Sequence, residues 1–529
     1  MSFLSSFKQQ GSVIRLVFGL VMLLIVLLCA FSTSFSHVAA CENVFKPETV
    51  LPNIVSALAG ALALLLIGLF LNHVLRPEKV MKCQLVFLIV SALLCGLQML
   101  FAWNYYFETN WDVAVLVDAA RDIVAGNDTA AHEPYFSENP NNMLLLRVFA
   151  WIVAVAHWLG MGQNDVFLLI VFQCLVVWLS GAMLFQILCK LYGRAMAWTG
   201  YFAYFSLVVL SPWVSIPYSD TVALFFPLAI VWLVFTSAIK RPCLKVALVC
   251  FLAMVGYRIK PQTLLVFLSL IAVCGCRLWH VRKRFFAKVY RNNIINSSIA
   301  VCAGLLVGVL VCSLGIKSLD INTRANSAFG MPHYLMMGMN TKTLGSYDGD
   351  DVAFSRSFES KSQRSKANFS EAGKRIGRMG PTGFMRHIGE KTLINYFDGT
   401  FGWGREGNFY KNILPRKNAT LSPFARDVYY TTWPRGKYYH YWSNYAQIFW
   451  MGVLMLSLLA CFGKSKRGLQ VVMLSLVLVT LFEALFEARA RYIYCFSPLF
   501  VVASVQGVKI ILGIVAPRGW TKKMRGVER

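Results

Sequence analysis

Apolar runs of about 20 residues recur along this chain, and a run of that length crosses the hydrocarbon core of a bilayer as an α-helix. The chain has 529 residues, of which 57% are hydrophobic and 14% are charged. Soluble domains carry about a quarter charged residues and do not contain such runs. Soluble, disordered, collagen-like and coiled-coil folds are therefore excluded, and the sequence predicts an all-α polytopic membrane protein.

The apolar runs predict about 12 transmembrane helices. They lie at 13–35, 50–75, 82–103, 165–189, 195–211, 218–239, 244–257, 262–279, 294–316, 442–462, 468–487 and 492–515. The first run has a basic flank like that of a signal peptide, but it is long and lacks a small-x-small cleavage site before Cys41. We therefore expect it to be retained as the first helix.

A further apolar run at 143–160 is ambiguous, and the positive-inside rule addresses it. If this run lies in the outer leaflet or re-enters it, every basic cluster between the helices falls in the cytoplasm, with both termini. If it crosses fully, the clusters between Lys190 and Arg291 move outside. We therefore predict a re-entrant or interfacial helix here.

The net charge of +26 is explained by this topology. Lys and Arg orient membrane helices and bind anionic headgroups, so the charge does not indicate a nucleic acid partner. The 14 cysteines lie almost wholly in apolar runs and lack metal-ligand spacing. They are interpreted as small core hydrophobes.

Two long segments are predicted to face outward. Segment 104–142 carries seven acidic residues and only Arg121 as a base, in a chain that is otherwise strongly basic. Segment 318–441 is too long for a simple connection and is expected to form an extracytoplasmic domain. The predicted division is thus two N-terminal helices at 1–81, a core at 82–317, this outer domain, and C-terminal helices with a basic cytoplasmic tail at 442–529.

Asp112 lies in the first turn of a predicted short helix that Asn110 would cap, a few residues after a membrane exit. A carboxylate at that position is suited to act as a general base or to bind a divalent cation. The structural alternative is an acid favoured there by the helix dipole, and it applies also to Asp118 and Asp122.

Cations occur where the positive-inside rule disfavours them. Arg258 and Lys260 lie in a turn between two short spans, and Arg489 and Arg491 open the last span on the same side. A lipid phosphate is a natural partner for such groups, because Arg binds phosphate with two donors and Lys as a point charge. Snorkelling to headgroups, or ion pairs with Glu483 and Glu487, are the structural alternatives.

Several motifs in order resemble the GT-C superfamily of lipid-linked-sugar glycosyltransferases. They are most similar to a bacterial group related to the protein mannosyltransferase and aminoarabinose transferase families. The motifs are WDVAVLVDAARDIVAG (111–126), YFSENPNN (135–142), SPWVSIPYSD (211–220), IKPQ (259–262), PHYLMMGMN (332–340), DGTFGW (398–403) and EARARY (487–492). Residues 1–81 lie outside the resemblance.

The resemblance implies roles for particular residues. Asp112 would be the catalytic base, Asp220 or Asp118 would serve as a second acidic or acceptor site, and His333 would lie near the donor phosphate. Many members carry paired acids at the first position, whereas here Val113 follows Asp112. No cofactor is therefore certain, and a divalent cation remains open. Lys391, Asp398 and Trp403 would shape the acceptor groove.

The predicted function is an inverting transfer of one sugar from a polyprenyl-phosphate carrier to an extracytoplasmic hydroxyl on a glycan, glycolipid or protein. Asp112 would take the proton, and Arg258, Lys260 and Arg491 would bind the departing lipid phosphate, assisted by His333. The expected location is a bacterial plasma membrane with the site outside. The alternatives are a transporter or lipid flippase, and a related glycan polymerase or ligase.

Overall fold

The computed structural model describes residues 2–31, 53–75, 80–235, 239–281, 288–407, 409–431, 436–463 and 467–515. Most of these residues are helical, which confirms the predicted all-α polytopic class. Parts of the predicted basic clusters, including 282–287, 464–466 and the tail after 515, lie outside the described residues.

Among the described residues of the first half of the chain there are thirteen α-helices. They are α1 (Ser2–Phe31), α2 (Asn53–Val74), α3 (Val80–Tyr105), α4 (Trp111–Ala125), α5 (Glu133–Glu138), α6 (Met143–Trp158), α7 (Asp165–Tyr192), α8 (Arg194–Tyr204), α9 (Ser219–Val222), α10 (Phe225–Phe235), α11 (Pro242–Ile259), α12 (Leu264–Val281) and α13 (Lys288–Lys317). One π-helical turn, Phe205–Val209, extends α8.

The described part of the second half contains nine more α-helices. They are α14 (Met331–Gly338), α15 (Gly349–Arg356), α16 (Lys361–Tyr396), α17 (Trp403–Glu406), α18 (Leu421–Tyr429), α19 (Tyr439–Leu459), α20 (Arg467–Leu485), α21 (Ala490–Tyr494) and α22 (Ser497–Val515). Helix α16 is kinked at Gly380, whose φ is +63°, just before Pro381.

Ten of the described helices are long and apolar enough to cross a membrane. A spanning helix satisfies its own backbone hydrogen bonds, which lipid cannot do, so uninterrupted runs of Leu, Val, Ile and Ala fold in this way. The predicted spans at 218–239 and 262–279 correspond to shorter apolar helices, Ser219–Phe235 and Pro261–Cys276. The predicted span at 195–211 is α8 with its π-helical turn and is not among the ten.

The N-terminal helices pack directly against the C-terminal ones. A Cβ atom on Gly60 of α2 would lie 1.9 Å from the carbonyl oxygen of Ile448 in α19, so only glycine permits this approach. At one end of the bundle Arg15 donates a hydrogen bond to the carbonyl oxygen of Gly463 at 2.7 Å. At the other end, Asn53 donates to the carbonyl oxygen of Cys29 at 2.9 Å.

Both ends of α6 lie at one end of the bundle, here called the site end. Before α6, Asn142 donates to the Tyr135 hydroxyl at 2.6 Å. After α6, Asp165 at the start of α7 pairs with Arg121 of α4 at 2.7 Å, and Arg121 also pairs with Glu108 at 2.8 Å. Pro140–Trp158 does meet the length and hydropathy requirements for a span. Its end contacts nevertheless favour the interfacial or re-entrant arrangement that the charge pattern predicts.

The outer segments predicted at 104–142 and 318–441 contact each other at the site end. A short antiparallel β-ladder joins β1 (Glu108–Thr109) to β2 (Tyr410–Asn412), and it is a small exception to the all-α prediction. The Tyr430 hydroxyl donates to the carbonyl oxygen of Tyr105 at 2.6 Å. These contacts fix α4, and with it Asp112, against the larger segment.

Candidate functional site

Asp112 is held at the start of α4 by an unusual backbone. Helix α4 begins at Trp111, and Asn110 occupies the N-cap position as predicted, although its side chain makes no capping hydrogen bond. Trp111 has a φ of +57°, a left-handed conformation that costs a bulky residue free energy. The surrounding contacts must therefore hold this turn in place, and they direct Asp112 toward the bundle.

Tyrosine side chains surround the Asp112 carboxylate. The Tyr218 hydroxyl donates a hydrogen bond to Asp112 Oδ2 at 2.9 Å. The Tyr135 hydroxyl also faces Asp112 while it accepts a hydrogen bond from Asn142 Nδ2 at 2.6 Å. Burial and the neighbouring Asp112 charge both raise the pKa of Tyr218, so its proton stays in place at neutral pH. Asp112 is thus a half-buried carboxylate with fixed donors.

Several charged side chains gather around Asp220, close to Tyr218. Asp220, two residues on, accepts a hydrogen bond from Lys260 Nζ through Oδ1. Arg491 Nη1 lies 3.5 Å from Asp220 Oδ2, an ion-pair distance at which no hydrogen bond forms. These three side chains are almost fully buried, so each charge depends on the others for stabilisation.

The charged group continues through Glu406. Its carboxylate contacts Arg491 Nε at 2.8 Å and Arg489 Nη1 at 3.1 Å. Burial by itself would raise the pKa of Glu406, but Arg489 and Arg491 outweigh that effect and hold it below its ordinary value. Arg489 also pairs with Glu487 at 2.8 Å. The buried charge cluster, as named below, comprises three bases and three acids: Lys260, Arg489, Arg491, Asp220, Glu406 and Glu487.

Arg491 joins this cluster to the surroundings of Asp112. The guanidinium carbon lies 4.5 Å from the centre of the Trp111 ring and 5.4 Å from that of Tyr218. Lys260 Nζ lies 4.5 Å from the Tyr492 ring centre. The Nε1–H of Trp111 is buried and has no acceptor among the described residues. One site therefore contains a carboxylate, two cations on aromatic faces, and an unused donor.

The structure brings together four of the residues that the sequence singled out: Asp112, Asp220, Lys260 and Arg491. Arg491, which the sequence assigned to the phosphate, is linked to Arg489 through one acidic residue. Both arginines contact Glu406. Of the predicted acidic partners, Glu487 pairs with Arg489, whereas the Glu483 carboxylate has no hydrogen-bond partner in the described structure.

Three other predicted site residues, Arg258, His333 and Asp118, lie outside this group of contacts. Arg258 lies in the last turn of α11, one turn after Met254, which packs against Gly308 of α13. His333 stacks on Phe329 and hydrogen-bonds Ser355 through Nδ1 at 2.7 Å. Burial lowers the pKa of His333 to about 4, so the ring is uncharged at neutral pH and does not suit a phosphate clamp.

Asp118 is bound at the protein surface. It pairs with Lys411 at 2.8 Å and with Arg121 at 3.6 Å, so its charge is balanced by two cations. Asp398 is buried and accepts hydrogen bonds from Thr400 and Gly402 in its own loop. Trp403 is fully buried and donates to the carbonyl oxygen of Tyr429. Asp398 and Trp403 are therefore part of the protein core and do not line an acceptor groove.

Sequence reasoning missed Tyr218, Trp111 and Glu406. Tyr218 and Trp111 lie within motifs already identified, and a search for hydroxyl or indole donors beside the acids would have found them. Glu406 carries no local signal, because it is one acid in a polar loop. Within the described ranges, no group of three or more His, Cys, Asp or Glu side chains is placed to hold a metal ion.

Comparison with known families gives a match over most of the chain. A family model described as "conserved hypothetical integral membrane protein" matches residues 6–509. No curated protein and no solved structure matches the chain.

Proposed function

The chain belongs to this family of conserved hypothetical integral membrane proteins, and we propose that it is a glycosyltransferase of a bacterial plasma membrane. It would move one sugar from a polyprenyl-phosphate carrier to a hydroxyl group on the extracytoplasmic side. Acceptor classes are a wall polysaccharide, a teichoic or lipoteichoic acid, a glycolipid or a secreted protein.

One observation carries the proposal: the Asp112 carboxylate and Arg491 both contact Tyr218, and Asp220 links Arg491 to Lys260. Displacement of a sugar from a lipid phosphate needs a base for the attacking hydroxyl and positive charge for the departing phosphate. Both requirements are met within this one group of contacts. The sequence resemblance to lipid-linked-sugar transferases points to the same chemistry.

In the proposed reaction, Asp112 accepts the proton of the acceptor hydroxyl. The hydroxyl oxygen attacks the anomeric carbon, whose bond to the phosphate oxygen breaks in line, so the configuration inverts. The lipid phosphate leaves with the bonding electron pair. Binding the two substrates side by side supplies much of the rate gain.

Lys260 and Arg491 would stabilise that departing phosphate. Arg491 Nη1 is buried without a hydrogen-bond acceptor, so it has a donor to offer a phosphate oxygen. Asp220 and Glu406 would fix the two cations in position before substrate arrives, which avoids reorganisation during the reaction. Asp220 would therefore act as a positioning residue.

The test is transfer by the purified full chain in lipid nanodiscs. A radiolabelled polyprenyl-phosphate sugar and a cell-wall extract would serve as substrates, and Asp112→Asn is expected to abolish incorporation of label. The matched control is Asp350→Asn, which makes the same change at an exposed residue of α15 and should leave transfer intact. Absence of transfer by the wild type, or equal transfer by Asp112→Asn, would overturn the proposal.

A transporter or flippase is the second candidate, and Glu483 is the observation that favours it. This side chain is fully buried in α20, and both its carboxylate oxygens lack a hydrogen-bond partner in the described structure. Acids inside membrane helices often belong to ion or proton pathways. Translocation of labelled carrier lipid across proteoliposomes without sugar transfer, and its loss in Glu483→Gln, would favour this candidate.

A further inference from the structure

Two arginines on neighbouring helices have a buried Nε atom without a hydrogen-bond partner in the described structure. Arg147 lies on α6, and Arg258 lies in the last turn of α11. A buried unsatisfied donor on a charged group costs free energy, and the cost grows inside a membrane. An acceptor from outside the chain would remove that cost.

Both arginines lie beside the C-terminal part of α13. Arg258 follows Met254 by one turn of α11, and Met254 packs against Gly308, one turn before Cys312; Arg147 lies beside Gly315. Residues three or four apart in a helix share one face, so Gly308, Cys312 and Gly315 lie on one face of α13. A Cβ atom on Gly315 would lie 3.7 Å from Arg147 Cγ, an ordinary van der Waals distance, so the Arg147 side chain runs directly alongside this glycine. The two cations therefore lie where α6 and α11 meet α13, in a region called the cationic groove below.

The groove borders lipid-facing side chains. The Arg147 guanidinium lies 5.0 Å from the ring centre of Trp151, which is 56% exposed. Tyr257, beside Arg258, is 42% exposed, and Leu314 on α13 is 67% exposed. In a membrane-spanning chain such residues face lipid, and Trp and Tyr favour the depth of the headgroups. An anion that reaches this groove therefore comes from the bilayer.

We infer that Arg147 and Arg258 together bind the phosphate of an anionic phospholipid in the leaflet at the site end. Arg suits this ligand because its guanidinium presents two parallel donors to phosphate oxygens. This site goes beyond the proposed sugar transfer and does not depend on it. The two arginines lie beside α13 and lipid-facing rings, whereas the contacts of Asp112 are to Tyr218 and Tyr135.

Native mass spectrometry of the purified full chain can measure this binding directly. The ligands to compare are phosphatidylglycerol, diacylglycerol, polyprenyl phosphate and inorganic phosphate. Wild-type protein should bind phosphatidylglycerol at least ~10-fold more tightly than diacylglycerol, since a charge-assisted hydrogen bond contributes about 1.5–3 kcal/mol. Arg147→Gln and Arg258→Gln should each lose that preference. The control Arg386→Gln removes an exposed arginine paired with Glu390 and should bind as the wild type does.

The Lys variants at both positions keep the test decisive if a Gln variant fails to fold. Arg147→Lys and Arg258→Lys retain the charge but not the two-pronged donor, so they should bind more weakly than wild type. Unchanged phosphatidylglycerol affinity in all four variants would overturn the inference. Tighter binding of polyprenyl phosphate through these arginines, or equal binding of inorganic phosphate, would also overturn the phospholipid assignment.

Discussion

The Tyr218 hydroxyl donates a hydrogen bond to Asp112 Oδ2 at 2.9 Å, across 106 positions in the sequence. Tyr218 lies two residues before Asp220, which anchors Lys260 and Arg491. A single short stretch of chain therefore connects the proposed base to the proposed phosphate-binding cations. A substitution of Tyr218 should therefore affect the alignment of the base and of the cations.

Tyr218→Phe removes this hydrogen bond and keeps the ring that contacts Arg491. A hydrogen bond to a charged group contributes about 1.5–3 kcal/mol, so loss of alignment should lower the transfer rate by about 10-fold or more. The rate should be measured at saturating carrier lipid, where a defect in binding alone would disappear. Tyr441→Phe, at an exposed tyrosine, is the matched control. Equal rates for both variants would contradict the role given to Tyr218.

The left-handed backbone of Trp111 predicts an inverted order of stability for two small substitutions. In an ordinary helix, Gly is less stable than Ala by about 0.5–1 kcal/mol. At a φ of +57° a Cβ atom is strained by roughly 1–2 kcal/mol, so Trp111→Gly should be more stable than Trp111→Ala. Thermal unfolding in nanodiscs measures the difference. Ala114→Gly in the same helix should instead destabilise, and a more stable Trp111→Ala would refute the strain.

Glu406→Gln should destabilise the protein at neutral pH and change its response to acid. Breaking a buried ion pair costs about 3–5 kcal/mol, because the remaining charges stay buried. The pKa of Glu406 is lowered in the fold, so its stabilisation is present above the ordinary carboxyl pKa of about 4.3 and is lost as the pH falls through the folded value.

Thermal unfolding between about pH 7 and pH 3 tests this prediction. The wild type should lose more stability on acidification than Glu406→Gln, so the two curves should converge at low pH. Glu390→Gln, which breaks a pair with the exposed Arg386, should follow the wild type within about 1 kcal/mol. Parallel curves for wild type and Glu406→Gln would show that this carboxylate does not titrate as described.

The buried side chain of Lys391 should make the stability of the protein depend on pH in the alkaline range. Its ammonium group is fully buried and donates to the carbonyl oxygens of Gly338 and Phe486. Burial lowers its pKa from 10.5 to about 7. The unfolded chain therefore binds more protons between these two values, and stability should rise with pH across that window. Lys391→Met should lack this rise, and exposed Lys366→Met should keep it; a rise that survives in Lys391→Met would refute the assignment.

The sequence predicted the fold better than it predicted the partners in the site. Apolar length is a local property, so most spans could be located from composition alone. Because Asp112, Asp220, Lys260 and Arg491 lie at the ends of predicted helices, the topology places all four on the same side of the membrane. Pairing with Glu406 could not be inferred, because it depends on how distant loops pack.

Arg258 was predicted to bind the phosphate together with Lys260 and Arg491, but in the structure it lies apart from them. It lies in the last turn of α11, whereas Lys260 is the extended residue that follows the helix, so the two side chains leave the backbone in different directions. Lys260 reaches Asp220, while the Nε atom of Arg258 has no acceptor in the described structure. The two predicted acidic partners, Glu483 and Glu487, also have different surroundings. Helix α20 ends at Leu485, which leaves Glu487 in the following loop, where it meets Arg489.

The position of α6 predicts the sidedness of the loops around it. Asp165 follows α6 and pairs with Arg121, so the connection at 161–164 should lie on the same side of the membrane as exposed Asp350 in the large outer segment. Short epitope insertions after Met161, Asp350 and Gly193 can be probed with antibody in intact and permeabilised cells. We expect the first two to react in intact cells and the tag at Gly193 only after permeabilisation. A tag at Met161 that behaves like the one at Gly193 is incompatible with the ion pair, because Asp165 and Arg121 would then lie on opposite sides of the bilayer.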